Sequence, residues 1–155
     1  AARQAERLAR GQQAKPRMAL VTRSLDLDPS TALFTEATEP PVIFTTEDAT
    51  DQRVRAFAGL AEVVSMGSHG VDLRRALAHL HALGARTVLV EGGPSLNGQL
   101  AEAGLVDEVN VSLSPVLVGG DSARIVQGAA AAPLPMALAH LWEQDGLLFA
   151  RYCRS

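Results

Sequence analysis

The chain has 155 residues, of which 47% are hydrophobic and 20% are charged, and its formal net charge is −3. This size and composition suit one globular domain and argue against intrinsic disorder. The acidic balance and the absence of any Lys/Arg run longer than two residues argue against a nucleic-acid-binding protein. No apolar run reaches membrane-spanning length, and the single cysteine, Cys153, permits neither an internal disulfide nor a cysteine-based zinc cluster. We therefore expect no metal, no membrane span and a cytoplasmic location.

Up to Gly104 the sequence alternates short apolar runs with stretches of helix-like spacing. The apolar runs predict strands at Met18–Ser24, Val42–Thr45, Ala61–Gly67 and Thr87–Val90. The stretches between and after them predict helices at Asp48–Leu60, Val71–Gly84 and Pro94–Gly104. This alternation predicts a mostly parallel sheet with helices on both faces.

The pattern changes after Gly104. The segment VDEVNVSLSPVLVGG, residues 106–120, alternates apolar and polar residues at period two and predicts an extended strand. Two apolar runs flank Asp145-Gly146, a strong turn signal, and predict an antiparallel hairpin at one edge of the sheet. The small residues of segment 119–133 predict a loop. The fold class is therefore α/β, with one domain over residues 1–155.

The segment TVLVEGGPSLNGQL, residues 87–100, places two glycines between a predicted strand and a predicted helix. Without side chains at Gly92 and Gly93, a ligand can approach the backbone, and the amides at the start of the helix then form an anion site for a phosphate or pyrophosphate. A tight strand-to-helix turn is the more common explanation of such a glycine pair, and the motif matches neither the dinucleotide fingerprint nor the P-loop. The residues alone leave both interpretations open.

A longer set of motifs is more specific. EGGPSL (91–96), AGLVDE (103–108) and SPVLVGG (114–120) resemble, in this order, the reductase domain of bacterial riboflavin biosynthesis, which usually follows a zinc deaminase. VTRSLDLDPSTALF (21–34) and DGLLFARY (145–152) extend the resemblance over nearly the whole chain. It implies a dihydrofolate reductase-like three-layer sandwich, mostly parallel with a C-terminal hairpin at the edge, NADPH as cofactor, and a homodimer.

In the family that the sequence resembles, NADPH reduces 5-amino-6-(5-phosphoribosylamino)uracil to its ribitylamino product. The resemblance implies that Glu91 orients the substrate's ribose hydroxyls, and it identifies no catalytic acid. It also implies three parts of the cofactor site: the pyrophosphate at Gly92, Gly93, Pro94, Ser95 and Leu96, the adenosine 2′-phosphate at Thr22, Arg23 and Ser24, and the adenine side at Thr45.

Two other functions stay open at this stage. One is a related NADPH-dependent reductase of dihydrofolate or another pterin, and the other is a non-catalytic nucleotide-binding or dimerisation module. The family's opening Ser-x-Asp-Gly and Val-Gly-x-x-Thr-x-Arg segments are not found, nor is a zinc deaminase signature. We therefore expect the chain to be the C-terminal portion of a longer domain, with a trimmed chain as the other explanation.

Overall fold

The computed structural model describes residues 2–122, 124–128 and 133–155. The chain forms two compact units, Ala1–Leu80 and His81–Ser155, called the N-terminal unit and the C-terminal unit below. The single-domain organisation expected from the sequence stays a prediction. In the described stretches, no helix has the length and apolar composition needed to cross a membrane.

Helices and strands follow one another in the order of the predicted alternation through most of the N-terminal unit. The helices found in the described residues are α1 (Ala2–Ala9), α2 (Ala32–Thr35), α3 (Asp51–Ala56), α4 (Leu73–Ala82) and α5 (Pro94–Glu102). The strands found there are β1 (Ala19–Val21), β2 (Val42–Thr45), β3 (Glu62–Ser65), β4 (Glu108–Leu113), β5 (Met136–Gln144) and β6 (Leu147–Arg154).

The N-terminal unit is built on a parallel sheet in the order β1-β2-β3. The central strand, Val42–Thr45, has both ladder edges paired, and each of its residues is at most 2% exposed. Successive side chains point to opposite faces, so Ile43 packs in one apolar cluster with Phe57 while Phe44 packs in a second with Met66. Burial on both faces explains why this strand is a continuous apolar run in the sequence.

Two predicted helices are modified at their ends. The helix predicted over Asp48–Leu60 is shorter and corresponds to α3, because Thr50 accepts a hydrogen bond from the Arg53 amide and so caps the helix start. The helix predicted over Val71–Gly84 corresponds to α4. Its predicted stop is confirmed, since Gly84 has a φ of +96°.

The C-terminal unit contains an antiparallel sheet in the order β4-β6-β5. The predicted hairpin is confirmed: Gln144 pairs with Leu147, and the two residues between them, Asp145 and Gly146, have φ angles of +53° and +81°. Positive φ at both turn residues is what a two-residue hairpin of matching twist requires. The predicted loop over 119–133 has no helix or strand at 119–122 and 124–128, and residues 123 and 129–132 lie outside the described part.

One predicted strand is wrong. Residues Thr87–Val90 form no strand, and their backbone makes no ladder with any described residue. Val88, Leu89 and Val90 are accordingly exposed, Leu89 by 77%. Strand propensity alone does not create a strand, because the backbone groups need a partner.

The described strands also form separate parallel and antiparallel sheets, rather than one sheet with the hairpin at its edge.

A polar cluster joins the start of β3 to the residues before β1 and to α4 in the N-terminal unit. The Glu62 carboxylate accepts a hydrogen bond from Arg17 Nη2 at 2.8 Å, and its other oxygen lies 2.9 Å from His79 Nε2. Partial burial raises the pKa of Glu62, but the hydrogen bonds from Arg17 and His79 and their charges more than offset this effect. The pKa of Glu62 therefore lies below its ordinary value.

We expect Glu62→Gln to lower the free energy of unfolding by about 0.5–1 kcal/mol near neutral pH, the range of a partly exposed ion pair. Because its folded-state pKa is depressed, the Glu62 carboxylate stabilises the fold above its unfolded pKa. This contribution is lost as the pH falls from the ordinary glutamate pKa, about 4.3, through the lower folded-state pKa. Urea denaturation of the unmodified chain and of Glu62→Gln over this pH range should show that the difference between their free energies of unfolding shrinks as the pH falls.

The matched control is Glu36→Gln, since the Glu36 side chain has no hydrogen-bond or ion-pair partner among the described residues. It should leave the pH dependence of unfolding unchanged. An effect of Glu36→Gln as large as that of Glu62→Gln would show that charge removal, rather than the Arg17 and His79 contacts, causes the loss.

Candidate functional site

The first group of predicted site residues lies at one edge of the parallel sheet in the N-terminal unit. Because the strands are parallel, their carboxyl ends share an edge, where open α/β sheets bind ligands. Thr22 follows β1 directly, and its amide donates to the Phe44 carbonyl at 3.0 Å. Thr45 ends β2, and its carbonyl accepts from the Met66 amide at 2.8 Å. The backbone of this edge is therefore tied across all three strands.

Two buried threonines fix the backbone of Arg23. The Thr45 and Thr46 hydroxyls both donate to the Arg23 carbonyl, at 3.1 Å and 2.9 Å, and the two residues are 2% and 1% exposed. The Arg23 side chain is exposed and has no ion-pair partner in the described part of the chain. This arrangement holds the Arg23 backbone and leaves its guanidinium available to an anion. The Thr45 hydroxyl is therefore not free, because it donates to the Arg23 carbonyl and positions that backbone.

A second guanidinium lies at the same strand end and was missed by the sequence reasoning. Arg53 Nη1 donates to the Ser24 carbonyl at 2.7 Å, and Arg53 Nη2 lies 3.3 Å from Asp26 Oδ1. Arg53 is on α3, 29 residues after Ser24, and no local sequence signal links the two. Ser24, one of the predicted site residues, is thus held through its carbonyl by the Arg53 side chain.

The second group of predicted site residues surrounds the start of α5 in the C-terminal unit. Gly92 has a φ of +87°, a backbone conformation that residues other than glycine rarely adopt. The Gly92–Gly93 peptide bond is cis. Gly93 is the N-cap, with extended backbone and no side-chain cap, and Pro94 is the first residue of the helix, as predicted. The glycine pair therefore makes the turn into α5.

The start of α5 has free donors and open space. The amides of Gly93, Ser95 and Leu96 donate to no acceptor among the described residues, and the first turn contains no acidic side chain. A Cβ placed on Gly93 would meet no atom within 4 Å. Unpaired N–H groups, the positive end of the helix dipole and this space fit an anionic group such as the diphosphate of a dinucleotide.

Glu91 precedes the glycine turn. Its side chain is exposed, and it makes no hydrogen bond or ion pair with any residue in the described ranges. In particular, it does not accept a hydrogen bond from the neighbouring described amides. The carboxylate is therefore available to accept hydrogen bonds from a ligand. In the same described residues, no three His, Cys, Asp or Glu side chains gather into a potential metal site.

Comparison with known proteins finds one matching family and several reductases. The model of the RibD C-terminal domain family matches residues 2–146. A protein of Methanothermobacter thermautotrophicus, named 2,5-diamino-6-ribosylamino-4(3H)-pyrimidinone 5′-phosphate reductase, is 44% identical over 85 residues, covering 55% of this chain and 39% of that protein. A protein of the same name from Aquifex aeolicus is 34% identical over 108 residues, covering 69% of this chain and 47% of that protein. The chain thus spans less than half the length of these two relatives.

Solved structures share the fold. A pyrimidine reductase-like protein from Corynebacterium diphtheriae superimposes with a TM-score of 0.84 at 25% identity, covering 97% of this chain and 65% of that one. RibD of Acinetobacter baumannii superimposes with a TM-score of 0.68 at 17% identity, covering 90% of this chain and 38% of that one. The predicted α/β class and its dihydrofolate reductase-like fold are confirmed by these likenesses.

Proposed function

Since the chain belongs to the RibD C-terminal domain family, we propose that it carries out the NADPH-dependent reduction of a phosphorylated ribosylaminopyrimidine to the ribitylamino product in riboflavin biosynthesis. The observation on which this depends is the start of α5, where free amides face open space at Gly93. The names of the relatives point to the 2,5-diamino-pyrimidinone 5′-phosphate as one substrate. The aminouracil phosphate implied by the sequence resemblance is the other.

The resemblance to the family assigns each group of site residues, taken by itself, one part of the dinucleotide. The amides of Gly93, Ser95 and Leu96 bind the diphosphate, and Pro94 fixes the first turn of α5 for this contact. Arg23 binds the 2′-phosphate through its guanidinium, a charge-assisted contact that distinguishes NADPH from NADH.

The neighbouring residues hold this anion-binding edge in place. The carbonyl of Arg23 is fixed by Thr45, and the carbonyl of Ser24 is fixed by Arg53. Thr22 joins the same edge through its amide. These bonds hold the backbone of Arg23 and Ser24 before a ligand arrives, so the binding energy of the guanidinium is not spent on ordering that backbone.

The chemistry assigns Glu91 an orienting role. When bound, NADPH would supply the hydride for reduction at C1′ of the sugar, where the bond from C1′ to the ring oxygen would break and that oxygen would take a proton. An acceptor such as the Glu91 carboxylate fixes the sugar by binding its hydroxyls, which limits the orientations in which C1′ is presented. Its exposure and lack of a described partner support this role.

The experiment that tests this function is NADPH oxidation by the purified protein with three substrates in parallel. These are the diaminopyrimidinone phosphate, the aminouracil phosphate and dihydrofolate. Turnover of either ribosylaminopyrimidine supports the proposal, and the ratio of the two kcat/KM values identifies the preferred substituent at the pyrimidine 2-position. Turnover of dihydrofolate alone would assign the chain to the pterin reductases. NADPH binding without any turnover would indicate a nucleotide-binding module. A homodimer and a cytoplasmic location remain predictions.

Arg23→Gln should raise the Kd for NADPH about tenfold or more while leaving the Kd for NADH unchanged, because only NADPH has the 2′-phosphate that the guanidinium binds. Fluorescence titration with both nucleotides measures the two constants. Arg3→Gln, on the exposed helix α1, removes the same charge and serves as the control. If NADPH and NADH affinities fall together in Arg23→Gln, the 2′-phosphate assignment is wrong.

A further inference from the structure

Asn97 occupies an unusual position in the first turn of α5. Asparagine is a poor helix former away from caps, yet Asn97 is the fourth residue of this helix. Its side-chain amide lies directly against the glycine turn: a Cβ built on Gly92 would be 3.2 Å from Asn97 Nδ2 and 3.6 Å from Asn97 Oδ1. The backbone amide of Asn97 also donates to the Gly93 carbonyl at 3.0 Å. Asn97 therefore lies close to Gly92 and is hydrogen-bonded to Gly93.

The same side chain reaches a segment that is distant in sequence. Asn97 Nδ2 donates to the Ile125 carbonyl at 2.8 Å, across 28 residues. A second hydrogen bond runs in the opposite direction, from the Gln127 amide to the Pro94 carbonyl at 3.0 Å. These two bonds join segment 124–128 to the first turn of α5.

This connection does not serve an apolar core. Segment 124–128 is exposed throughout its length, and Ile125 is 67% exposed. The burial of apolar surface therefore gives little reason to hold the segment at this place. What the bonds do fix is the glycine turn, because Asn97 is packed against Gly92 on one side and bonded to Ile125 on the other.

We propose that Asn97 is a positioning residue of the dinucleotide site: it holds the Gly92–Gly93 turn between α5 and segment 124–128, so that the free amides keep the geometry that a diphosphate needs. This inference rests on the proposed function, because it concerns the same site. Donors fixed before the ligand arrives bind it more tightly than donors that must be ordered on binding. The residue acts through the glycine amides and does not touch the reacting atoms.

The test compares Asn97→Leu with Gln99→Met. Both replacements are uncharged and of similar size, but the exposed Gln99 side chain makes no hydrogen bond with any described residue. Asn97→Leu should raise both the Kd and the KM for NADPH about fivefold to tenfold, within the range expected for losing one hydrogen bond. The kcat at saturating NADPH and the KM for the pyrimidine should stay unchanged. Gln99→Met should alter none of these constants.

Hydrogen exchange without cofactor gives a second readout. The Gln127 amide, which donates to Pro94, should exchange faster in Asn97→Leu than in the unmodified chain and in Gln99→Met. Gln127→Pro removes the donor to Pro94 from the other side of the same connection, and it should also raise the Kd for NADPH. This variant decides the question if Asn97→Leu fails to fold.

The outcomes separate the inference from the proposed function. An unmodified chain that does not bind NADPH overturns the proposed cofactor, and the positioning role with it. Normal NADPH affinity in Asn97→Leu, with faster exchange of the Gln127 amide, overturns the positioning role alone, because the connection is then only structural. A loss of kcat together with a rise in both KM values also overturns it, since a general disturbance of the fold would explain that result.

Discussion

Gly93→Asp is expected to weaken NADPH binding at least about 100-fold while leaving the stability of the chain unchanged or slightly raised. The backbone of Gly93 has a φ of −65° and a ψ of −176°, which any residue adopts, and a Cβ there meets no atom within 4 Å. Aspartate is a preferred N-cap, and its carboxylate bonds the amides of the first helical turn. The new side chain would therefore occupy the anion site itself.

The size of this effect follows from what the diphosphate loses. Hydrogen bonds to a charged group contribute about 1.5–3 kcal/mol each, so two amide contacts account for about 100-fold in affinity. Repulsion between the introduced carboxylate and the phosphates adds to this loss. Isothermal titration with NADPH measures the affinity, and thermal unfolding without ligand measures the stability.

Two variants control the Gly93→Asp result. Gln99→Asp adds the same charge on the exposed side of α5, beyond its first turn, and should change NADPH affinity little at physiological salt. Gly93→Ala adds a Cβ without a charge and should have an intermediate effect on affinity. Full NADPH affinity in Gly93→Asp, in a stable protein, would contradict the assignment of the diphosphate to the start of α5.

Much of the fold was predictable because several elements depend on local sequence alone. The bounds of Val42–Thr45 were predicted correctly, since a strand buried on both faces is a continuous apolar run. The Asp145-Gly146 hairpin was predicted because these residues tolerate the positive φ angles of its turn. The segment Thr87–Val90 has the same strand-like composition, yet it forms no strand. Whether this segment forms a strand depends on a neighbouring strand to pair with, and its own residues do not specify one.

The site shows the same division between local and distant information. The turn at Gly92 and the start of α5 at Pro94 were readable from a short motif. The bond from Thr45 to the Arg23 carbonyl spans 22 residues, and that from Asn97 to Ile125 spans 28. No local periodicity reports such contacts. Sequence reasoning therefore identified the proposed ligand-binding residues more readily than the residues that hold them in place.

Gly67→Ala is expected to lower the free energy of unfolding by at least about 3 kcal/mol. Gly67 has a φ of +124°, and a Cβ built on it would lie 2.5 Å from the carbonyl oxygen of Gly70. Backbone of this kind is nearly restricted to glycine, and the clashing atom belongs to the main chain, so relief requires a shift of the loop. Urea denaturation measures the loss, which corresponds to about 6–12 °C in melting temperature for a chain of this size.

The loss should extend to the edge of the parallel sheet where the strands have their carboxyl ends, because this loop is bonded to that edge. The Gly67 carbonyl accepts from the Glu47 amide at 3.0 Å, and the Met66 amide donates to Thr45. Gly70→Ala is the matched control in the same loop: its Cβ meets nothing within 4 Å, and its φ is not in the left-handed region. It should leave stability unchanged or raise it by up to about 1 kcal/mol, because alanine restricts the unfolded chain. Equal losses in the two variants would mean that the loop tolerates no side chain at either position, and that the Gly67 geometry is not the cause.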